Sequence, residues 1–262
     1  MKKWAFTLIE ILVVIAIIGI LTGISVPILR YARQQSILIY CGSNLKQLSL
    51  ALTMYEQNNC SFPFGYGDTF SLGKPSPPGG YSGDPTKDTL GWWWFNFLEK
   101  NIGNNRNKKS VLRCPARTVQ DHFTKPNILC GNYGVNQAIC KNTPIFGGDF
   151  TGQPLNISSI RKPSKTLLIM DSGYALISWK AASNSAGTLF GNPARIGSFY
   201  IPGMEVNKTR SIEPGAEIDA IDGRHLDKLI NIAFADCHLS TVKPDELFVD
   251  DNVNWVPLWN PR

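Results

Sequence analysis

No Gly-x-Ser-x-Gly elbow, phosphate-binding loop or dinucleotide fingerprint occurs in this chain, so the usual signatures of serine hydrolases, nucleotide-dependent enzymes and nicotinamide oxidoreductases are missing. Histidine is scarce, with 3 residues, and no HExxH pair is formed. The 6 cysteines (Cys41, Cys60, Cys114, Cys130, Cys140, Cys237) contain no CxxC pair, and their spacing suits neither a zinc ribbon nor an iron–sulfur site. Outside the cytoplasm the even count allows full disulfide pairing, with the connectivity left open. There is no long basic block either. The formal charge of +6 comes from scattered Lys and Arg, so no nucleic-acid partner is expected. What remains is a chain of 262 residues, 43% hydrophobic, able to bury a core as one domain or two small ones.

The strongest local feature is the opening, MKKWAFTLIEILVVIAIIGILTGISVPILRYARQQ. From Phe6 to Val26 it offers about twenty residues, most of them apolar, and at a rise of 1.5 Å per residue a helix of that length crosses a hydrocarbon core of about 30 Å. Lys2 and Lys3 precede it and favour a cytoplasmic N-terminus, although Arg30 and Arg33 beyond it weaken the asymmetry. Glu10 interrupts the run. A carboxylate costs roughly 2.5–3.5 kcal/mol at the centre of a spanning helix, and less near its end. A removable secretory signal would need a small-x-small cleavage site after the run, and "LTGISVPIL" is a poor candidate. A plain anchor would leave Glu10 snorkelling at the cytoplasmic boundary.

The basic leader, Ala5, and then Phe6, Thr7, Leu8, Ile9 and Glu10 ahead of a run with Gly19 and Pro27 resemble the class III signal of type IV pilins and type II secretion pseudopilins. The resemblance implies that residues 1–5 are a leader, that a prepilin peptidase cuts between Ala5 and Phe6, and that Phe6 becomes a methylated first residue. The family usually has Gly where Ala5 stands. It further implies that 6–26 form a transmembrane and assembly helix. Glu10 of one subunit would then pair with the new amine of Phe6 on its neighbour, an opposite charge that offsets desolvation and sets register.

Beyond Pro27, which lacks an N–H and should loosen the helix locally, Leu38, Cys41, Leu45, Leu48, Leu52 and Tyr55 recur at spacings of three and four. That is the apolar stripe of an amphipathic helix over 27–58, with Asn58 and Asn59 as its stop. A coiled coil would use the same stripe, but packing on a sheet suits a chain of this length better. Residues 59–262 then form a globular body. Between Asn58 and Leu90 the Gly, Pro and Ser content reads as a long irregular surface connection. "LGWWWFNFLEK" reads as a core-filling short helix, with subunit contact or a sugar or peptide platform as the alternatives. Strands are expected at Lys165–Met170, Arg195–Ile201, Asn231–Ala235 and His238–Val242. The last two, separated only by Asp236 and Cys237, suggest a tight hairpin. The expected fold is α+β: a long N-terminal helix, half in membrane and half amphipathic, packed on an antiparallel β-sheet in a pilin-like shape.

"CGSNLKQLSLAL", "LRCPAR", "NYGVN" and "RHLDKLINIAFADCH" also resemble, in order, a large bacterial group of pseudopilin-like proteins with an uncharacterised C-terminal body. Arg224, His225, Asn231, Phe234, Asp236 and His238 match that group's last motif, while Cys237 replaces its usual Gly. A non-Gly residue at positive φ in a two-residue turn costs roughly 1–2 kcal/mol, so either the turn differs or Cys237 has another use. Asp222, His225, Asp236 and His238 form the one constellation of interest. Structural hydrogen bonding, binding of a divalent metal by His225, Asp236 and His238, and acid/base work are its three readings.

The sequence therefore leads to a non-enzymatic, single-pass subunit that needs no cofactor and assembles through its N-terminal helix. Its expected place is a bacterial inner membrane, with the body periplasmic. Its expected partners are a prepilin peptidase, other pseudopilin subunits and the assembly platform of a secretion or pilus system. The competing reading is a membrane-anchored periplasmic metal-binding or hydrolytic domain.

Overall fold

The computed structural model describes residues 7–77, 91–103, 110–119, 127–144, 150–183, 199–249 and 258–261. Ala5 and Phe6 lie outside the described residues, as does 195–198 of the strand expected at Arg195–Ile201.

A single helix, α1, runs from Leu8 to Asn59, 52 residues and so about 78 Å long. It passes through Pro27 without a break and ends where Cys60 takes a left-handed conformation, φ 59°. From Leu8 to Val26 its large apolar side chains stand exposed, and no residue of its most apolar stretch is buried by the chain itself. In the second half the stripe turns inward: Cys41, Leu45, Leu48 and Leu52 are fully buried and Leu38 nearly so, with Tyr55 packed at the edge. Each such leucine contributes about 1.5–3 kcal/mol relative to exposure.

That face lies across a five-stranded sheet of order β5-β3-β4-β6-β7, touching β6 and β4. The strands are β3 (Tyr133–Asn136), β4 (Leu167–Asp171), β5 (Leu176–Ile177), β6 (Ile230–Phe234) and β7 (Leu239–Val242). Alternation along β6 divides the interior. Ala233 and Ala235 join the core under α1, whereas Ile230 and Ile232 join a second core with Met170, Ile201, Met204 and Trp259 on the far face. Alanines at the crossing allow α1 to approach closely. The architecture is α+β, as expected, with β3–β4, β4–β6 and β6–β7 antiparallel. The exception is β3–β5, a parallel pairing in which Val135 faces Leu176.

Two further expectations are corrected and one is met. The connection after α1 is partly structured: Phe62 is buried, and β1 (Tyr66–Asp68) pairs with β2 (Gly91–Trp93) in a second small sheet. The tryptophan segment is the expected core-filling short helix: Trp94–Phe97 is helical, a second short helix follows at Glu99–Ile102, and Trp93, Trp94 and Phe95 fill the core, with Trp94 Nε1 donating to Ala175 O at 2.9 Å. Phe199–Ile201 are buried but belong to no strand. Tyr200 O accepts the N–H of Gly173, and its hydroxyl donates to Asp219.

Candidate functional site

The four sequence stretches that carry the second resemblance are far apart in the chain, yet they meet in one buried knot between α1 and the sheet. From the first, Asn44 Nδ2 donates to Arg113 O at 3.3 Å and to Tyr133 Oη at 3.4 Å. From the second, the N–H of Cys114 donates to Asn132 Oδ1 at 3.0 Å. From the last, Asn231 Nδ2 donates to Leu38 O on α1 at 3.3 Å, while Thr241 Oγ1 donates to Asn231 Oδ1. Gly42 lies beneath this seat, where a Cβ would be in contact with Asn231 Oδ1 at 3.4 Å.

Arg224 is the clamp of the knot. Its guanidinium donates to both oxygens of Asp219 (3.1 and 2.6 Å), to Asn132 O at 2.8 Å and to Ser172 O at 3.0 Å. Both members of the ion pair are fully buried, and Tyr200 and Thr118 complete the hydrogen bonding of Asp219. Nearly every donor is consumed by the protein's own groups, the pattern of a buried charge retained to specify structure.

His225, next along, points at two sulfurs and a carboxylate. Its Nε2 lies 3.2 Å from Asp171 Oδ2 and 4.0 Å from Cys114 Sγ, and Cys114 Sγ lies 2.8 Å from Cys41 Sγ. Burial alone would push the imidazolium's pKa down, but the hydrogen bonds with Asp171 and Cys114 prevail and hold it at about 9. Burial pushes the Cys114 thiol well above its ordinary value. Asp171 Oδ2 also accepts the N–H of Asn231 at 2.8 Å, while Asp171 Oδ1 and His225 Nδ1 have no hydrogen-bond partner among the described residues.

The sequence grouped His225 with Asp236 and His238. The structure does not bring them together. Asp236 and His238 sit on the exposed tip of the β6–β7 hairpin, where His238 Nδ1 meets Asp236 Oδ1 at 2.6 Å and the ring stacks on Phe234 at 4.1 Å. Asp222 ends a short helix, Glu217–Asp222. Among the described residues the ligand-bearing trio is instead Cys41, Cys114 and His225, whose donor atoms lie within 4.8 Å of one another. Sequence reasoning missed Asp171 and Asp219. The one available signal for Asp171 was an acid closing the apolar run "LLIM".

The hairpin itself differs from the two-residue turn. The N–H of Cys237 bonds to Phe234 O at 2.9 Å and the N–H of Phe234 bonds to His238 O at 3.0 Å, so the loop holds Ala235, Asp236 and Cys237. Cys237 takes the left-handed position, φ 68°, where such loops prefer glycine. Its thiol is buried against α1, 2.9 Å from Thr53 Oγ1, and Lys46 Nζ donates to its carbonyl at 2.7 Å.

At the other end of the molecule, Glu10 is the third residue of a capping box. Its Oε2 accepts the N–H of Thr7 at 2.7 Å and the Thr7 hydroxyl at 2.6 Å, while Thr7 Oγ1 accepts the N–H of Glu10. Gly19 and Gly23, four apart, have open space where a side chain would be.

No family model, curated protein or solved structure matches the chain.

Proposed function

We propose that the chain is a structural pseudopilin subunit, released from its leader by a prepilin peptidase and assembled through α1 into a pilus-like filament of a type II secretion or type IV pilus-related system. The supporting observation is the division of one unbroken helix. Its second half is buried in the body, while its first half presents about nineteen residues of apolar surface that the chain leaves bare. A bilayer covers that surface before assembly and neighbouring helices cover it afterwards. Gly19 and Gly23 suit such neighbours, since small residues four apart let helix backbones approach closely.

Glu10 has two donors from its own Thr7 and, as a carboxylate, keeps lone pairs for a third. The amine created at Phe6 supplies that third partner from an adjacent subunit, which makes filament register depend on processing. The body stays on the periplasmic side of the inner membrane and meets cargo, other subunits or the assembly platform. No catalytic step is required.

The test is the mature N-terminus of the membrane-bound protein. Mass spectrometry should find a terminal peptide beginning at N-methylated Phe6. An intact Met1, or a cut beyond Val26, would overturn the reading.

A further inference from the structure

We infer that Cys41 and Cys114 are joined by a disulfide in the exported protein, a covalent staple between the long helix and the body. The sulfurs lie 2.8 Å apart, well inside their van der Waals contact, and a bond of about 2.05 Å needs only small side-chain rotations. One sulfur is on α1 and the other follows the loop at Ser110–Arg113, so the bond would link elements 73 residues apart in sequence.

A metal centre is the rival use of the same atoms, and the geometry disfavours it. Two thiolates on one tetrahedral zinc, each at about 2.3 Å, sit roughly 3.8 Å apart, so the present separation would have to widen. A ligating histidine also normally has its other ring nitrogen hydrogen-bonded, whereas Nδ1 of His225 has no partner among the described residues.

The chemistry is thiol–disulfide exchange with a protein disulfide oxidant. The thiolate of one cysteine attacks the oxidant's S–S bond, forming a mixed disulfide and releasing one oxidant sulfur as a thiol. The second cysteine then displaces the other oxidant sulfur. Both protein thiols are oxidised to cystine, their protons end on the oxidant's two thiols, and electrons balance. Cys41 is fully buried and Cys114 nearly so, and burial holds the Cys114 thiol in its unreactive neutral form. The bond therefore closes before the core does, and is afterwards shielded from reductants. The consequence is mechanical: α1 cannot slide along β6 without carrying the 110–119 segment with it.

The inference shares with the proposed function only the compartment of the body, and one protein preparation separates the two. Cys60 is exposed at the end of α1 and reports sidedness. Intact spheroplasts are labelled with a membrane-impermeant maleimide, the remaining thiols are blocked under denaturing conditions, and the full-length protein is digested without reduction. The expected result is Cys60 labelled and the Cys41 and Cys114 peptides recovered as one cross-linked species that reduction separates. Reduction should also lower the Tm by on the order of 10 °C, an effect absent in C41S/C114S. Cys60 labelled with both other thiols singly blocked overturns the disulfide, as does one tightly held zinc per chain that is lost in C41S. If Cys60 is not labelled, the periplasmic placement fails. The bond is then judged by refolding the purified chain in a glutathione redox buffer, where failure of Cys41 and Cys114 to pair selectively overturns it.

Discussion

Asp171 Oδ2 lies 3.2 Å from His225 Nε2, with both side chains fully removed from solvent. The pair joins the end of β4 to the segment preceding β6. The same oxygen holds the N–H of Asn231, whose side chain seats α1. One carboxylate thus aligns the sheet, the C-terminal motif and the helix.

Replacing Asp171 with Ala should therefore be among the most damaging single changes in the body. It leaves a buried imidazolium without its counter-charge and a backbone N–H without an acceptor, and breaking such a pair from one side costs about 3–5 kcal/mol. Urea denaturation of the detergent-solubilised full chain measures this. The double variant D171A/H225F should recover part of the loss, because it removes the stranded charge as well. A D171A cost below about 1 kcal/mol would show that the pair is not maintained.

His225 also predicts how stability depends on pH. Its folded pKa, about 9, is raised above the ordinary 6.5, so the protonated form is favoured by folding. The contribution is complete below pH 6.5 and is lost as pH rises through about 9. At about 1.4 kcal/mol per unit, the decline across that window is on the order of 3 kcal/mol. The Asp171 hydrogen bond is the larger favourable cause, so a decline persists when Cys114 is oxidised. Melting curves from pH 6 to 9.5 should fall for the wild type and flatten for H225Q. Equal slopes in the two proteins would assign the effect to other groups.

Cys237 separates backbone strain from packing. Glycine there relieves the left-handed conformation, worth about 1–2 kcal/mol, but discards the thiol packed on Thr53 and the carbonyl of Ser49. Alanine discards the thiol and keeps the strain. C237G should therefore remain within about 1 kcal/mol of wild type and exceed C237A by about 1 kcal/mol in chemical denaturation. A C237A as stable as C237G would mean that the turn is unstrained.

The legible parts of the fold were those written in local period. The spacing of Leu38, Cys41, Leu45, Leu48 and Leu52 gave the buried face of α1 directly, and the alternation around Asn231–Val242 gave the hairpin. The loop length was less legible, because Ala235 continues the apolar run although the pairing with the β7 side closes at Phe234, whose N–H bonds His238 O and whose carbonyl accepts the N–H of Cys237. The site was harder to read. Closeness in sequence grouped His225 with Asp236 and His238, whereas its real neighbours, Cys41, Cys114 and Asp171, arrive from three distant segments. No local pattern encodes that meeting. The β3–β5 pairing was likewise hidden, since two residues in β5 are too few to show a period.

Glu10 does two jobs that a single substitution would confuse. As the third residue of the capping box it satisfies the N–H of Thr7, and as a negative charge it is the proposed partner of a neighbouring Phe6 amine. Glutamine can serve a capping box but carries no charge, so E10Q keeps the first role and removes the second. E10A removes both and also costs the helix start about 1 kcal/mol. Both variants should insert into the membrane like the wild type and keep the body's melting temperature, because among the described residues Glu10 bonds to its own Thr7 at the start of α1. Both should lose filament formation by about tenfold or more, since a buried carboxylate-amine pair specifies axial register. Quantitative cross-linking of subunits in membranes, scored beside fractionation, reads this out. If E10Q assembled normally while E10A failed, the capping hydrogen bond rather than the charge would be what assembly requires, and the register argument would have to be abandoned.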